Sequence, residues 1–102
     1  MYGTVMRYRT KPGSEAAALA LTKEFLADPP AGFVATYTYR LDSGGDEYMT
    51  AAVFTDKDAY TRNASDPRQD QWYKRWQALV VGDVEWSDGE LIEAVNLGGP
   101  TG

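Results

Sequence analysis

Residues 32–63 read GFVATYTYRLDSGGDEYMTAAVFTDKDAYTRN, and the reading of this stretch decides the fold. Its first and third segments, 33–40 and 47–54, are rich in Tyr, Thr, Val and Phe and alternate in character, as strands do. Between them Asp42, Ser43, Gly44, Gly45 and Asp46 supply turn chemistry. The two segments therefore predict an antiparallel hairpin. A register that sets Arg40 opposite Glu47 also pairs Tyr39 with Tyr48, Ala35 with Ala52, and Phe33 with Phe54, all sensible cross-strand partners. In that register one face carries Phe33, Ala35, Tyr37, Tyr39, Tyr48, Thr50, Ala52 and Phe54. The other carries Val34, Thr36, Thr38, Met49, Ala51 and Val53, ending in the Arg40–Glu47 pair. Neither face has the polarity of a fully solvated surface, so both need a cover: helices on one side and a second subunit on the other.

Working outward, Tyr2 to Arg9 alternates as a strand, with Tyr2, Thr4, Met6 and Tyr8 on one side. Lys11-Pro12-Gly13 turns the chain, and Ser14 is placed to cap a helix running to Ala27, where Asp28-Pro29-Pro30 stops it. Ala18, Leu21, Thr22, Phe25 and Leu26 form its apolar stripe. After the hairpin, Thr55-Asp56-Lys57-Asp58 has capping-box spacing, and Asp66-Pro67 opens a further helix. That helix sets Trp72, Tyr73, Trp76, Leu79 and Val80 on one face and is expected to end at Gly82. A final strand is expected over Glu90–Val95, and residues 98–102 read as a flexible tail to a single domain spanning 1–97. The class is α+β, a ferredoxin-like β-α-β-β-α-α-β order with a four-stranded antiparallel sheet.

Composition narrows the function. The 102-residue chain carries a net charge of -5, which argues against nucleic acid or anionic membranes as partners. No apolar run approaches the roughly 20 residues that span a bilayer, and no signal-peptide pattern opens the chain, so a cytoplasmic location is expected. There is no Cys and no His. These absences remove thiolate catalysis, the usual general base, the commonest metal ligand and the usual haem ligand, so neither metal nor cofactor is expected.

Four stretches carry a resemblance: Lys11-Pro12-Gly13, Pro30-Ala31-Gly32-Phe33, Val53-Phe54-Thr55-Asp56-Lys57-Asp58-Ala59-Tyr60, and Asp66-Pro67. In them the chain resembles the antibiotic biosynthesis monooxygenase-like domains of the dimeric α/β-barrel superfamily, over about Tyr2 to Val95. The resemblance implies a homodimer in which two sheets pack face to face into a barrel. It implies a site between helices and sheet in each subunit, and in some relatives cofactor-free transfer of oxygen to anthrones. The positions similar to those relatives' key residues are Tyr39, Thr50, Phe54 and Tyr60. Haem-degrading relatives carry Asn, Trp and His near the positions held here by Met6, Asn63 and Tyr73, which argues against haem degradation.

The candidate site collects the residues these two lines of argument share. Tyr60, Tyr73, Asn63 and Thr50 are the candidate catalytic residues. Met6, Tyr37, Tyr39, Phe54, Trp72 and Trp76 are the candidate substrate-binding residues. Four phenols converging on one cavity exceed what packing needs, although an aromatic stripe at helical spacing is often plain core. The expected function is cofactor-independent monooxygenation of a small electron-rich aromatic of the quinol or anthrone kind. The alternative is a non-catalytic homodimer of the same fold that binds a small aromatic ligand or serves a structural role.

Overall fold

The computed structural model describes residues 1–95. The elements run β1 (Tyr2–Thr10), α1 (Glu15–Ala27), β2 (Phe33–Arg40), β3 (Glu47–Phe54), α2 (Lys57–Ala64), α3 (Pro67–Gln77) and β4 (Val80–Glu90). All strand pairs are antiparallel and lie in the order β2-β3-β1-β4, so β1 and β3 are central and the chain has the ferredoxin-like α+β topology. The helices cover one face. Tyr8, Leu21, Tyr48 and Trp76 form the buried centre, with Met6, Trp72, Tyr73, Leu79, Val80 and Val84 packed against it.

The hairpin differs from its predicted register. Phe33 does face Phe54, but the next pair is Ala35 with Val53, so Val34 is an extra residue in the ladder. Beyond that bulge every residue of β2 is shifted by one, and Thr38, not Tyr37, lies opposite Thr50. A one-residue slip exchanges the faces of a strand. Thr36, Thr38 and Arg40 therefore face the helices, while Ala35, Tyr37 and Tyr39 lie on the outer face. Arg40 consequently pairs with Glu15 at the start of α1, and Glu47 is instead held by Arg7 and Arg9 from β1.

Local signals explain the helix starts, with two corrections. Asp66 caps α3 by accepting from Arg68 N at 2.8 Å, with Pro67 in the first turn. At α2 the capping side chain is Asp56, which accepts from Ala59 N at 2.8 Å, rather than Thr55. Ser14 makes no side-chain cap to α1.

The end of the chain departs further from expectation. α3 stops at Gln77, Gly82 sits inside β4 at φ +74°, and the last strand is Val80–Glu90 rather than Glu90–Val95. Between the pairs Arg7–Glu85 and Arg9–Val81, β4 carries three residues against one on β1, a bulge that accommodates Gly82 and Asp83. An edge strand with one partner tolerates Gly and Asp that a central strand would not. Residues 91–95 lie in no regular element, and the expected tail at 98–102 falls outside the described residues.

Candidate functional site

A cavity of about 110 Å³ lies between the sheet and the three helices. β1 contributes Tyr8, β2 contributes Phe33, Thr36 and Thr38, and β3 contributes Thr50, Ala52 and Phe54. Thr22 and Phe25 come from α1, Tyr60 and Asn63 from α2, and Gln69, Trp72 and Trp76 from α3. The rings form a connected wall. Trp72 meets Phe25 at 5.4 Å, Phe25 meets Phe33 at 5.1 Å, Phe33 meets Phe54 at 5.5 Å and Phe54 meets Tyr60 at 5.5 Å, tilted or edge to face. Such arrangements fix ring planes beyond what area burial alone achieves. Trp72 is further held by its indole N–H, which donates to Leu21 O on α1 at 2.9 Å.

Polar groups punctuate this apolar wall. Tyr8 Oη and Thr50 Oγ1 lie 2.8 Å apart, and Thr50 Oγ1 lies 3.0 Å from Thr38 Oγ1, a chain of three hydroxyls along the sheet floor. Asn63 and Gln69 bring side-chain amides to the helix side, and neither is engaged by another side chain among the described residues. Outside this cavity lies an open recess of about 320 Å³ lined by Ala64, Asp70, Tyr73, Trp86 and Asp88, with Tyr60, Asn63 and Gln69 as a wall common to both spaces. Tyr60 donates its hydroxyl proton to Asp88 Oδ1 at 2.9 Å.

The electrostatics of the phenols are uniform in sign. Burial pushes the Tyr8 hydroxyl above its ordinary value, with the Thr50 bond offsetting part of that rise. Tyr60 is pushed up to about 12, by burial first and then by the Asp88 carboxylate that accepts its proton. Burial also raises Tyr73. All three therefore stay protonated at neutral pH and act as hydrogen-bond donors.

The predicted site residues divide into three groups. Thr50, Phe54, Tyr60, Asn63, Trp72 and Trp76 line the cavity together. Tyr73 lies in the outer recess, its ring 5.9 Å from Trp86, and Met6 packs against the buried centre beside it. Tyr37 and Tyr39, 59% and 62% exposed, sit on the opposite face of the sheet, because the Val34 bulge inverts β2. Their places are taken by Thr36 and Thr38. Tyr8, Thr22, Phe25, Phe33, Ala52 and Gln69 also belong to the wall. Tyr8 was legible from the alternation of β1, and Phe25 from the apolar stripe of α1; Gln69 gave no signal. Among the described residues no group of three or more Cys, His, Asp or Glu is placed to hold a metal ion, and no helix is long and apolar enough to cross a membrane.

No family model and no curated protein sequence matches the chain. Solved structures do. SnoaB, a cofactor-independent oxygenase from Streptomyces nogalater, superposes with a TM-score of 0.74 at 24% identity, over 92% of this chain and 95% of that one. An antibiotic biosynthesis monooxygenase gives a TM-score of 0.71 at 12% identity, over 91% and 100%. Rv0793 from Mycobacterium tuberculosis gives 0.72 at 13%, over 93% and 98%. Identities this low speak to the backbone, and at that level the result is plain: the chain has the fold of the antibiotic biosynthesis monooxygenase-like domains.

Proposed function

We propose that this protein is a cofactor-independent monooxygenase of a small electron-rich aromatic, a hydroquinone, naphthol or anthrone, and that it works as a homodimer in the cytoplasm. The carrying observation is the cavity itself: a ring-walled space with hydroxyl and amide donors at set points and no charged side chain among its lining residues. Its volume of about 110 Å³ is below the roughly 150 Å³ of a cavity that takes up benzene, so a single ring fills it and presses on its walls. A second or third ring would extend through the mouth.

In such a space a bound phenolate or enolate is held by fixed donors rather than by water. In this reading Thr50, Tyr8 and Asn63, all lining the cavity, bond the ligand's oxygen. The anion then gives one electron to O2, and the two radicals combine at a ring carbon as a peroxide anion. This takes up one proton, and breaking of its O–O bond and of the C–H bond on the same carbon releases water and leaves the carbonyl product. Tyr60 stands where the ligand's proton would leave. Tyr73 acts from the outer recess and contributes to ligand entry rather than to the reacting atoms. SnoaB supports this reading by fold and by its description as a cofactor-independent oxygenase.

O2 consumption with a panel of hydroquinones, naphthols and anthrones tests the proposal. Turnover is expected, with Tyr60→Phe and Asn63→Ala lowering kcat by about 10²-fold while the fold persists. Binding of the panel by quenching of Trp72 and Trp76 fluorescence, with no O2 uptake, would instead establish a ligand-binding dimer. One observation favours that second reading: the cavity phenols are all raised, so none of them is itself a base at neutral pH.

A further inference from the structure

The walls of the inner cavity hold no carboxylate, amine or guanidinium, so no group inside can keep a proton taken from an acidic ligand. Tyr60 reaches outward from that wall. Its Oη lies 2.9 Å from Asp88 Oδ1, and Asp88 is an exposed residue of β4 that lines the outer recess. The sheet fixes this meeting point: Asp88 lies opposite Thr4 on β1, and Thr4 lies opposite Ala52 in the cavity wall. Thr4 is only 5% exposed; its Oγ1 makes no hydrogen bond of good geometry among the described residues, yet it stands close enough to Tyr60 to offset part of the rise that burial imposes on that phenol. A buried hydroxyl left open is uncommon and costs free energy. Here it stands in the one row of the sheet that joins the cavity wall to the carboxylate.

We propose that Tyr60 and Asp88 form a proton outlet from the dry cavity to solvent. The inference rests on the aromatic-oxidation reading above and assigns Asp88 as the group that reading lacks. In the step, the O–H or acidic C–H bond of the ligand breaks and its proton passes to Tyr60 Oη. Tyr60 gives its own proton to Asp88 Oδ1, and Asp88 releases it to water. The ligand is left as an anion, water has gained one proton, and no electron has moved. Asp88 touches no ligand in the cavity; it acts through Tyr60 and is a positioning residue and proton acceptor. The other titratable groups nearby are differently engaged. Asp70 is paired with Lys74 at 3.0 Å, Lys57 stands over the Tyr2 ring, and Tyr2 meets Tyr60 ring to ring at 5.4 Å. Tyr73 is itself a raised phenol.

The test separates the proton step from the oxygen step. Under argon in D2O, proton NMR follows loss of the methylene signal of 2-indanone, a carbon acid with one aromatic ring, and of anthrone. O2 uptake is measured in parallel with hydroquinones and anthrone. Asp88→Asn should slow exchange by about 10²-fold or more, with ligand binding by Trp fluorescence unchanged. Asp88→Glu, which keeps the carboxylate, should hold exchange within about tenfold, and Asp88→Ala should regain it with added formate. Exchange at the wild-type rate in Asp88→Asn or Tyr60→Phe overturns the outlet. Wild-type exchange that depends on Asp88, without O2 uptake, would support the outlet and sink the monooxygenase reading. O2 uptake that survives Asp88→Asn would do the reverse, and a wild type that does neither would remove both.

Discussion

Thr50 is the residue on which the cavity floor depends. Its hydroxyl bonds both Tyr8 and Thr38, and all three strands that meet there contribute one member. Thr50 is 6% exposed and Tyr8 7%, so each hydroxyl depends chiefly on partners within the chain and on whatever occupies the cavity. Thr50→Val keeps shape and volume but strands the Tyr8 phenol. It should cost about 1–3 kcal/mol, the penalty of a buried donor without a partner, read as a lower urea midpoint at unchanged slope. Tyr8→Phe combined with Thr50→Val should cost less than the sum of the single changes, since the orphan is then gone. Purely additive losses would show that the three hydroxyls do not act as a chain. The partners of Thr50 could not be read from composition. Tyr37 and Thr38 are both ordinary strand residues, and nothing in either side chain says which of them faces the helices.

At the scale of elements, the tie between α1 and the hairpin is the clearest case of tertiary contact overriding local expectation. Glu15 accepts from Arg40 at 2.5 and 2.6 Å and from the Tyr48 hydroxyl at 2.8 Å. The Arg40 guanidinium, then the Tyr48 bond, draw the Glu15 carboxyl down from 4.5 to about 2. A carboxyl depressed on folding contributes stability that is fully present above about pH 4.5 and is lost as pH falls toward 2. The wild-type melting temperature should therefore fall more steeply than that of Glu15→Gln between those limits. Because the group is exposed, added salt should narrow the difference. Parallel curves at low salt would show that Glu15 gains nothing from this contact. The sequence paired Arg40 with Glu47, a fair inference for a hairpin with an unbroken ladder. The single extra residue at Val34 changed it, and a bulge at a Val carries no Gly or Pro to announce itself. The β4 bulge at Gly82 had such a marker, but Gly after a helical run is equally the signature of a helix end. Helix starts were more legible, because Asp66 and Pro67 act on their own neighbours and need no distant partner.

On the scale of the whole molecule, element order and fold class followed from periodicity, whereas the composition of the outer sheet face depended on the bulge. That face carries Val5, Met49, Ala51 and Val53 as expected from the sequence, and Tyr37 and Tyr39 in place of Thr36 and Thr38. Arg7, Arg9 and Glu47 form its polar edge, with Arg40 turned to the helices. In the single chain Val5 is 41% exposed, Tyr37 59% and Tyr39 62%, and a groove of about 180 Å³ runs over Gly3, Val5, Ala51 and Val53. Aliphatic residues on the central strands, tyrosines on the β2 edge and arginines at the rim make a composition suited to a protein interface. Contiguous exposed apolar residues of this kind mark interaction surfaces on soluble proteins. A second copy is therefore the expected cover, and light scattering at micromolar concentration should report twice 11.3 kDa. Val53→Asp would place a charge in the middle of that face without a partner, and should shift the population toward monomer while lowering the melting temperature. Tyr37→Ser and Tyr39→Ser should weaken association while leaving ligand binding in the cavity unchanged, because both rings stand on the far side of the sheet from it. Loss of ligand binding in those variants would mean that the second subunit shapes the cavity through the sheet, and a wild type that stays monomeric at these concentrations would remove the barrel arrangement altogether.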